Sequence, residues 1–197
     1  MCPSPALLSL RWLPEEAGWR RFELTSRGDR VVARLHPSTG PSPHPLAVVL
    51  AEAAQEVSPI DGCATLALDL PLLGARAHPK WTERLRRCLA NGVERASDEA
   101  LLEELRCQAA ADLAGALDVC RRGDEIGPRA GLLGLGAGAW VGARLRATER
   151  RLGVVILAPG GLAASLDPRE AGAAAPRGLI FVRDAAEGAR RLRDALA

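Results

Sequence analysis

The chain has no tyrosine, one methionine, two phenylalanines and a single lysine, Lys80, among its 26 basic residues. So few aromatics leave no stacking platform for single-stranded nucleic acid. Acidic residues number 24 and nearly cancel the arginines, giving a net charge of +2. No field gathers phosphate backbones, and nucleic acid is not expected as a partner. No apolar run reaches the ~18–20 residues of a membrane helix, and Met1 to Pro14 lacks the basic start and sustained apolar stretch of an export signal. Membrane attachment is therefore not expected. The five cysteines, at positions 2, 63, 88, 107 and 120, form no CxxC pair and no cluster with histidine at ligand spacing. They predict small, reduced thiols in a cytoplasmic protein with no bound metal and no cofactor.

What is present is a chain of 197 residues, 48% hydrophobic and 25% charged. That length suits one domain, residues 1–197, burying roughly two thirds of its unfolded surface. Residues 1–20, with Pro3, Pro5 and Pro14, read as an irregular lead-in that packs Trp12 or Trp19 on the body. Arg21 to Ser26 and Arg30 to Leu35 flank the turn-forming Arg27-Gly28-Asp29 and predict a hairpin. After the Pro-rich loop from His36 to Pro45, the runs Leu46 to Ala51 and Cys63 to Leu68 have the length and continuous apolarity of strands buried on both faces. Helices are predicted over Pro79 to Asn91, Asp98 to Arg122, Ala137 to Arg150 and Asp184 to Ala197. Between the later ones, Gly131 to Leu135, Leu152 to Ala158 and Gly178 to Val182 read as further strands, and Gly160 to Pro176 as an Ala, Gly and Pro-rich loop. Strands alternating with helices of this length imply a mostly parallel sheet flanked by helices, a three-layer α/β domain.

In such sheets chemistry sits at the carboxyl ends of the strands. The most informative stretch there is Gly131 to Gly142, GLLGLGAGAWVG, in which a strand runs through Gly134, Gly136 and Gly138 into a helix. Gly134, Gly136 and Ala139 match the dinucleotide fingerprint G-x-G-x-x-G/A, which would place a pyrophosphate at the helix N-terminus. The following strand ends Leu157-Ala158-Pro159-Gly160, however, with no carboxylate to hold a ribose hydroxyl. The competing motif is the nucleophile elbow G-x-S-x-G, with Gly134 and Gly138 as flanks and Gly136 where the serine belongs.

Several segments in the right order then resemble one family, the α/β-hydrolases, nearest to dienelactone hydrolases and acyl-peptidase-like esterases. They are Thr25-Ser26-Arg27-Gly28-Asp29, His44 to Leu50, Ala64 to Gly74 with its Asp69-Leu70-Pro71, Ile126 to Val141, and Val154 to Pro159. The resemblance implies an α/β-hydrolase-like fold, shortened at its C-terminus, and an ester-cleaving ancestry. The catalytic parts do not carry over. Gly136 offers no nucleophile. His36, His44 and His78 all precede the elbow, whereas the family's histidine follows it. Asp184 matches the family's acid, and Ala51-Glu52-Ala53-Ala54 replaces the His-Gly pair of its oxyanion loop.

The expectation is thus a pseudo-hydrolase that binds a small acyl-type ligand near Ala51, Glu52, Asp69, Gly136 and Ala137, or that assembles with itself or with a catalytic relative. An exposed edge at Gly178 to Val182 would serve that assembly. Two alternatives stand beside it: an active hydrolase using Asp69, His78 or a cysteine such as Cys63 or Cys120, and a dinucleotide-binding protein. Glu52 and Asp69 form a candidate carboxylate pair. The plainer expectation is that Asp69 shapes the turn before Pro71 and that Glu52 is solvated. The arginine pairs at 20–21, 86–87, 121–122, 150–151 and 190–191 are expected on helix ends or lead-ins, facing Glu83, Glu94, Glu149 and Glu187.

Overall fold

A computed structural model describes residues 9–92, 95–159 and 179–197. Among them run strands β1 (Leu10–Glu16), β2 (Trp19–Ser26), β3 (Asp29–His36), β4 (His44–Ala51) and β5 (Ala64–Asp69), then helices α1 (Pro79–Asn91) and α2 (Ala96–Cys120). There follow β6 (Ile126–Leu135), α3 (Ala137–Thr148), β7 (Leu152–Ala158), β8 (Leu179–Phe181) and α4 (Ala185–Leu196). The strands form one sheet in the order β1-β2-β3-β5-β4-β6-β7-β8. The first three pair antiparallel and β3 pairs antiparallel with β5, while β5, β4, β6, β7 and β8 are parallel. Leu46 through Ala51 of β4 are all buried, as a central strand covered on both faces requires. The α/β architecture expected from the alternation of elements is the one found.

The lead-in departs from expectation. Residues 10–16 form β1, with Trp12 opposite Phe22 and their rings edge to face at 5.3 Å. Arg20 and Arg21 accordingly lie inside β2, where they pair with Glu125 and Glu16, and not on an irregular lead-in. Arg151 and Arg191 do pair with Glu149 and Glu187. The predicted loop at 160–176, together with Cys2, Glu94 and Gly178, lies outside the described residues.

Helices α1, α2 and α3 cover one face of the sheet, over a core that includes Phe22, Leu66, Leu85, Leu113 and Leu132. The opposite face holds a smaller cluster in which Ala47, Val49, Leu133 and Ile156 meet Leu192 and Leu196 of α4. The connection from β4 to β5 contributes Ala54, Val57 and Ile60 to that second cluster through one short 3-10 turn. The sheet's outer strands differ in kind. In β1, Pro14, a register shift and the exposed Glu15 and Glu16 interrupt the edge, whereas β8 is the apolar triplet Leu179-Ile180-Phe181. No helix among the described residues is long and apolar enough to cross a membrane.

Candidate functional site

At the end of β6 the chain turns through Gly136, with φ 55° and ψ −120°, and α3 begins at Ala137. This backbone is strained for any side chain and open to glycine. The Gly136 N–H donates to the Ala158 carbonyl at 3.1 Å, and its own carbonyl accepts from Ala139 N–H at 3.0 Å, so the turn is held from both sides. The flanking glycines serve close approach. A Cβ on Gly134 would lie 2.5 Å from the Gly138 carbonyl oxygen, and one on Gly138 would lie 2.0 Å from that of Leu50. Helix α3 is therefore pressed onto β4 and β6 at a distance only glycine permits, with its positive end at the carboxyl end of the sheet and its first turn, Ala137 to Ala139, buried.

The neighbouring strands bring the other candidates to that same end. Ala51 is opposite Asp69 and Leu50 is opposite Gly134, which sets Glu52 and Gly136 at one height just beyond the ladder. Ala51 is buried, and its carbonyl accepts from Leu70 N–H at 3.3 Å. Glu52 is half-buried, not fully solvated, and Ala137 is buried. Asp69 has both carboxylate oxygens engaged: Oδ1 accepts from Ala54 N–H at 2.6 Å and Oδ2 from Ala75 N–H at 3.2 Å. It ties the loop after β4 to the loop after β5, which is the turn-shaping role and not that of an acid paired with Glu52. Gly74 belongs to this knot, because a Cβ there would lie 2.5 Å from Asp69 Oδ1 and 2.6 Å from the Glu52 carbonyl oxygen.

The remaining candidates are dispersed. His36 pairs with Thr65 at the amino end of β5 and stacks edge to face on Trp19 at 5.3 Å. His44 opens β4, so both lie roughly 20 Å of extended strand from the elbow. His78 is exposed and precedes α1 on the elbow side. Asp184 is the N-cap of α4 and accepts from Glu187 N–H at 2.9 Å, while the Glu187 carboxylate accepts from Arg183 N–H at 3.3 Å. Cys63, Cys88 and Cys120 are free and buried; burial raises the Cys63 thiol and pushes Cys120 up to about 12. A thiol held that high is protonated and unreactive at neutral pH. Among the described residues no three His, Cys, Asp or Glu side chains converge as a metal would need.

Sequence reasoning passed over a buried polar network beside this end of the sheet. Arg76 binds Asp112 at 2.6 Å and Asp29 at 3.2 Å, and Gln108 Nε2 donates to Asp112 at 2.7 Å and to the Ser26 carbonyl at 3.0 Å. Burial pushes the Asp112 carboxyl up while Arg76 pulls it back. The available signal was the pair Gln108 and Asp112, one helical turn apart on the apolar side of α2.

No family model matches the chain, and no curated protein matches it in sequence. Solved structures do match. A zinc-bound cold-adapted esterase from an Arctic intertidal metagenomic library has a TM-score of 0.62 at 18% identity, over 95% of this chain and 100% of that one. The PEG-bound complex of a cold-adapted esterase from such a library has a TM-score of 0.58 at 18% identity, over 94% and 85%. Acetyl xylan esterase 1 from Thermoanaerobacterium sp. JW/SL YS485 has a TM-score of 0.54 at 17% identity over 78% of this chain, which spans about half (52%) of that esterase. At such identities the likeness is one of architecture, and the architecture is the α/β-hydrolase-like fold.

Proposed function

We propose that this chain is a pseudo-hydrolase, akin to dienelactone hydrolases and acyl-peptidase-like esterases, that keeps the scaffold of an ester-cleaving enzyme and acts by binding. The observation that carries this reading is the turn at Gly136: the backbone of a nucleophile elbow, tightly flanked by Gly134 and Gly138, with no side chain at its apex. Asp184 is engaged as a helix cap, and two of the three histidines lie at the far end of the sheet. The positive end of α3 behind the half-buried Gly136, and the half-buried loop at Glu52, suit the carbonyl or carboxylate of a small acyl-type ligand. Strand β8 suits pairing with a second copy or with a catalytic relative.

The test is hydrolysis of a panel of short p-nitrophenyl esters by the purified protein, with fluorophosphonate labelling read by intact mass. A flat panel and an unmodified mass are expected. Turnover above a heat-killed control, or a covalent adduct, would favour the second reading, an esterase with other catalytic groups. His78, on the elbow side, and the esterase neighbours are what support that one. The Gly136→Ser variant should fold and stay inactive, since a serine alone lacks its base. A dinucleotide role gains no support from β7, which ends at Ala158 and Pro159 without a carboxylate; retention on a nucleotide resin would revive it.

A further inference from the structure

A second concavity opens at the same end of the sheet, to one side of the elbow. It is bounded by the β2–β3 turn, the loop after β5 and the first half of α2, and encloses about 420 Å³. Its apolar lining is Pro71, Leu72, Leu101 and Leu105, and its polar lining includes Gln108. Four charged residues complete the wall, two of each sign: Asp29, Glu104, Arg30 and Arg76. All four are already paired. Arg76 lies on Asp112 and Asp29, Arg30 on Glu23 at 2.7 Å, and Glu104 on Arg27 at 3.0 Å.

The lip of this cleft is strained and fixed. Leu72 has φ +63°, a left-handed conformation that is a genuine outlier for a bulky residue. It is held there because the Thr82 hydroxyl donates to the Leu72 carbonyl at 2.6 Å and itself accepts from His78 N–H at 2.8 Å. The Leu73 N–H reaches back to the Leu70 carbonyl at 3.1 Å, and Asp69 clamps Ala75 beyond. Strain that the surroundings over-determine in this way is typical of ligand clamps, and a lip already fixed loses little freedom when it binds.

We propose that this cleft binds a small neutral molecule: an apolar body of roughly seven to twelve non-hydrogen atoms carrying a hydroxyl. Leu72, Leu101 and Leu105 take the body. The hydroxyl donates to Gln108 Oε1, the acceptor left to that amide once its nitrogen is engaged by Ser26 and Asp112. The two charges of each sign on the wall offset one another and each already has a partner, so the cleft favours neither an anion nor a cation over the neutral ligand. The inference is independent of what occupies the elbow.

The experiment is ¹H–¹⁵N NMR titration of the full chain with 1-hexanol, hexanoate and hexylammonium, which share one body and differ in charge. Hexanol should shift the Gln108 side-chain amide and the backbone signals of Leu72 and Ala75, with both ions at least five-fold weaker. The Leu101→Arg variant, and the milder Leu101→Gln, should weaken hexanol at least ten-fold and three-fold respectively, while Glu52→Trp at the elbow leaves it unchanged. Shifts that gather at Glu52 and Ala137, equal responses to all three probes, or no saturable shift in the unaltered protein would overturn the proposal.

Discussion

Three glycines at alternate positions in the turn differ in what one methyl group would cost. At Gly138 the added carbon meets a backbone carbonyl at 2.0 Å, and neither strand nor helix can yield without losing the ladder. Gly138→Ala should lose about 3 kcal/mol or more, at the upper end for overpacking. Gly136→Ala meets a conformational penalty of about 1–2 kcal/mol from its positive φ. Urea midpoints of the two variants check the order, and equal losses would mean that the helix does not rest on β4 as described. The described thiols give a second residue-level prediction. Native iodoacetamide treatment, followed by peptide mapping, should modify the half-buried Cys107 well before Cys63, Cys88 and Cys120. The glycine spacing was plain in the sequence because the turn is local. The engagement of Asp69 was not, since its N–H donors sit 15 residues before it and 6 after it.

Elements with a strong period or a full apolar run were legible, and those held by their neighbours were not. Strands β4, β6 and β7 announce themselves as buried runs, and α1 starts where Pro79 predicts. Strand β1 carries few apolar residues and Pro14, and exists because its backbone pairs with β2 while Trp12 rests on Phe22. Helices α1 and α2 are clamped to each other by Arg84, whose Nε and Nη2 both donate to Asp98 Oδ1, at 2.8 and 2.6 Å, in the first turn of α2. Arg84 holds the Asp98 carboxyl below its ordinary 3.8. A depressed carboxyl contributes stability that is present above 3.8 and is lost as pH falls through the folded-state value. Thermal unfolding followed from pH 6 down to pH 3 should therefore show a shallower acid limb in Asp98→Asn than in the unaltered chain. Parallel limbs would mean that the pair contributes nothing.

At the scale of the whole molecule, the two faces of the sheet are covered unequally by the described residues. One face rests on three helices and the other chiefly on α4, where Leu192 is fully buried against Leu133 and its neighbours. Leu192→Ala should cost about 2–5 kcal/mol, and the transition should remain single when followed by circular dichroism and by tryptophan fluorescence. Two separated transitions would show the faces melting independently. The mostly parallel run of the sheet was legible in the alternation of strands and helices, whereas the burial of Arg76 and Asp112 was not, because it joins residues 36 positions apart. The unlike outer strands of the sheet have a consequence in symmetry. A copy that added to β8 would find β1 blunted by Pro14, a register shift and two glutamates, so head-to-tail addition has no receiving surface. Pairing through β8 alone would be self-complementary about a two-fold axis and would use up the one receptive outer strand among the described residues. An assembly built through that strand would then have a valence of one, closing at two subunits without growing into a filament.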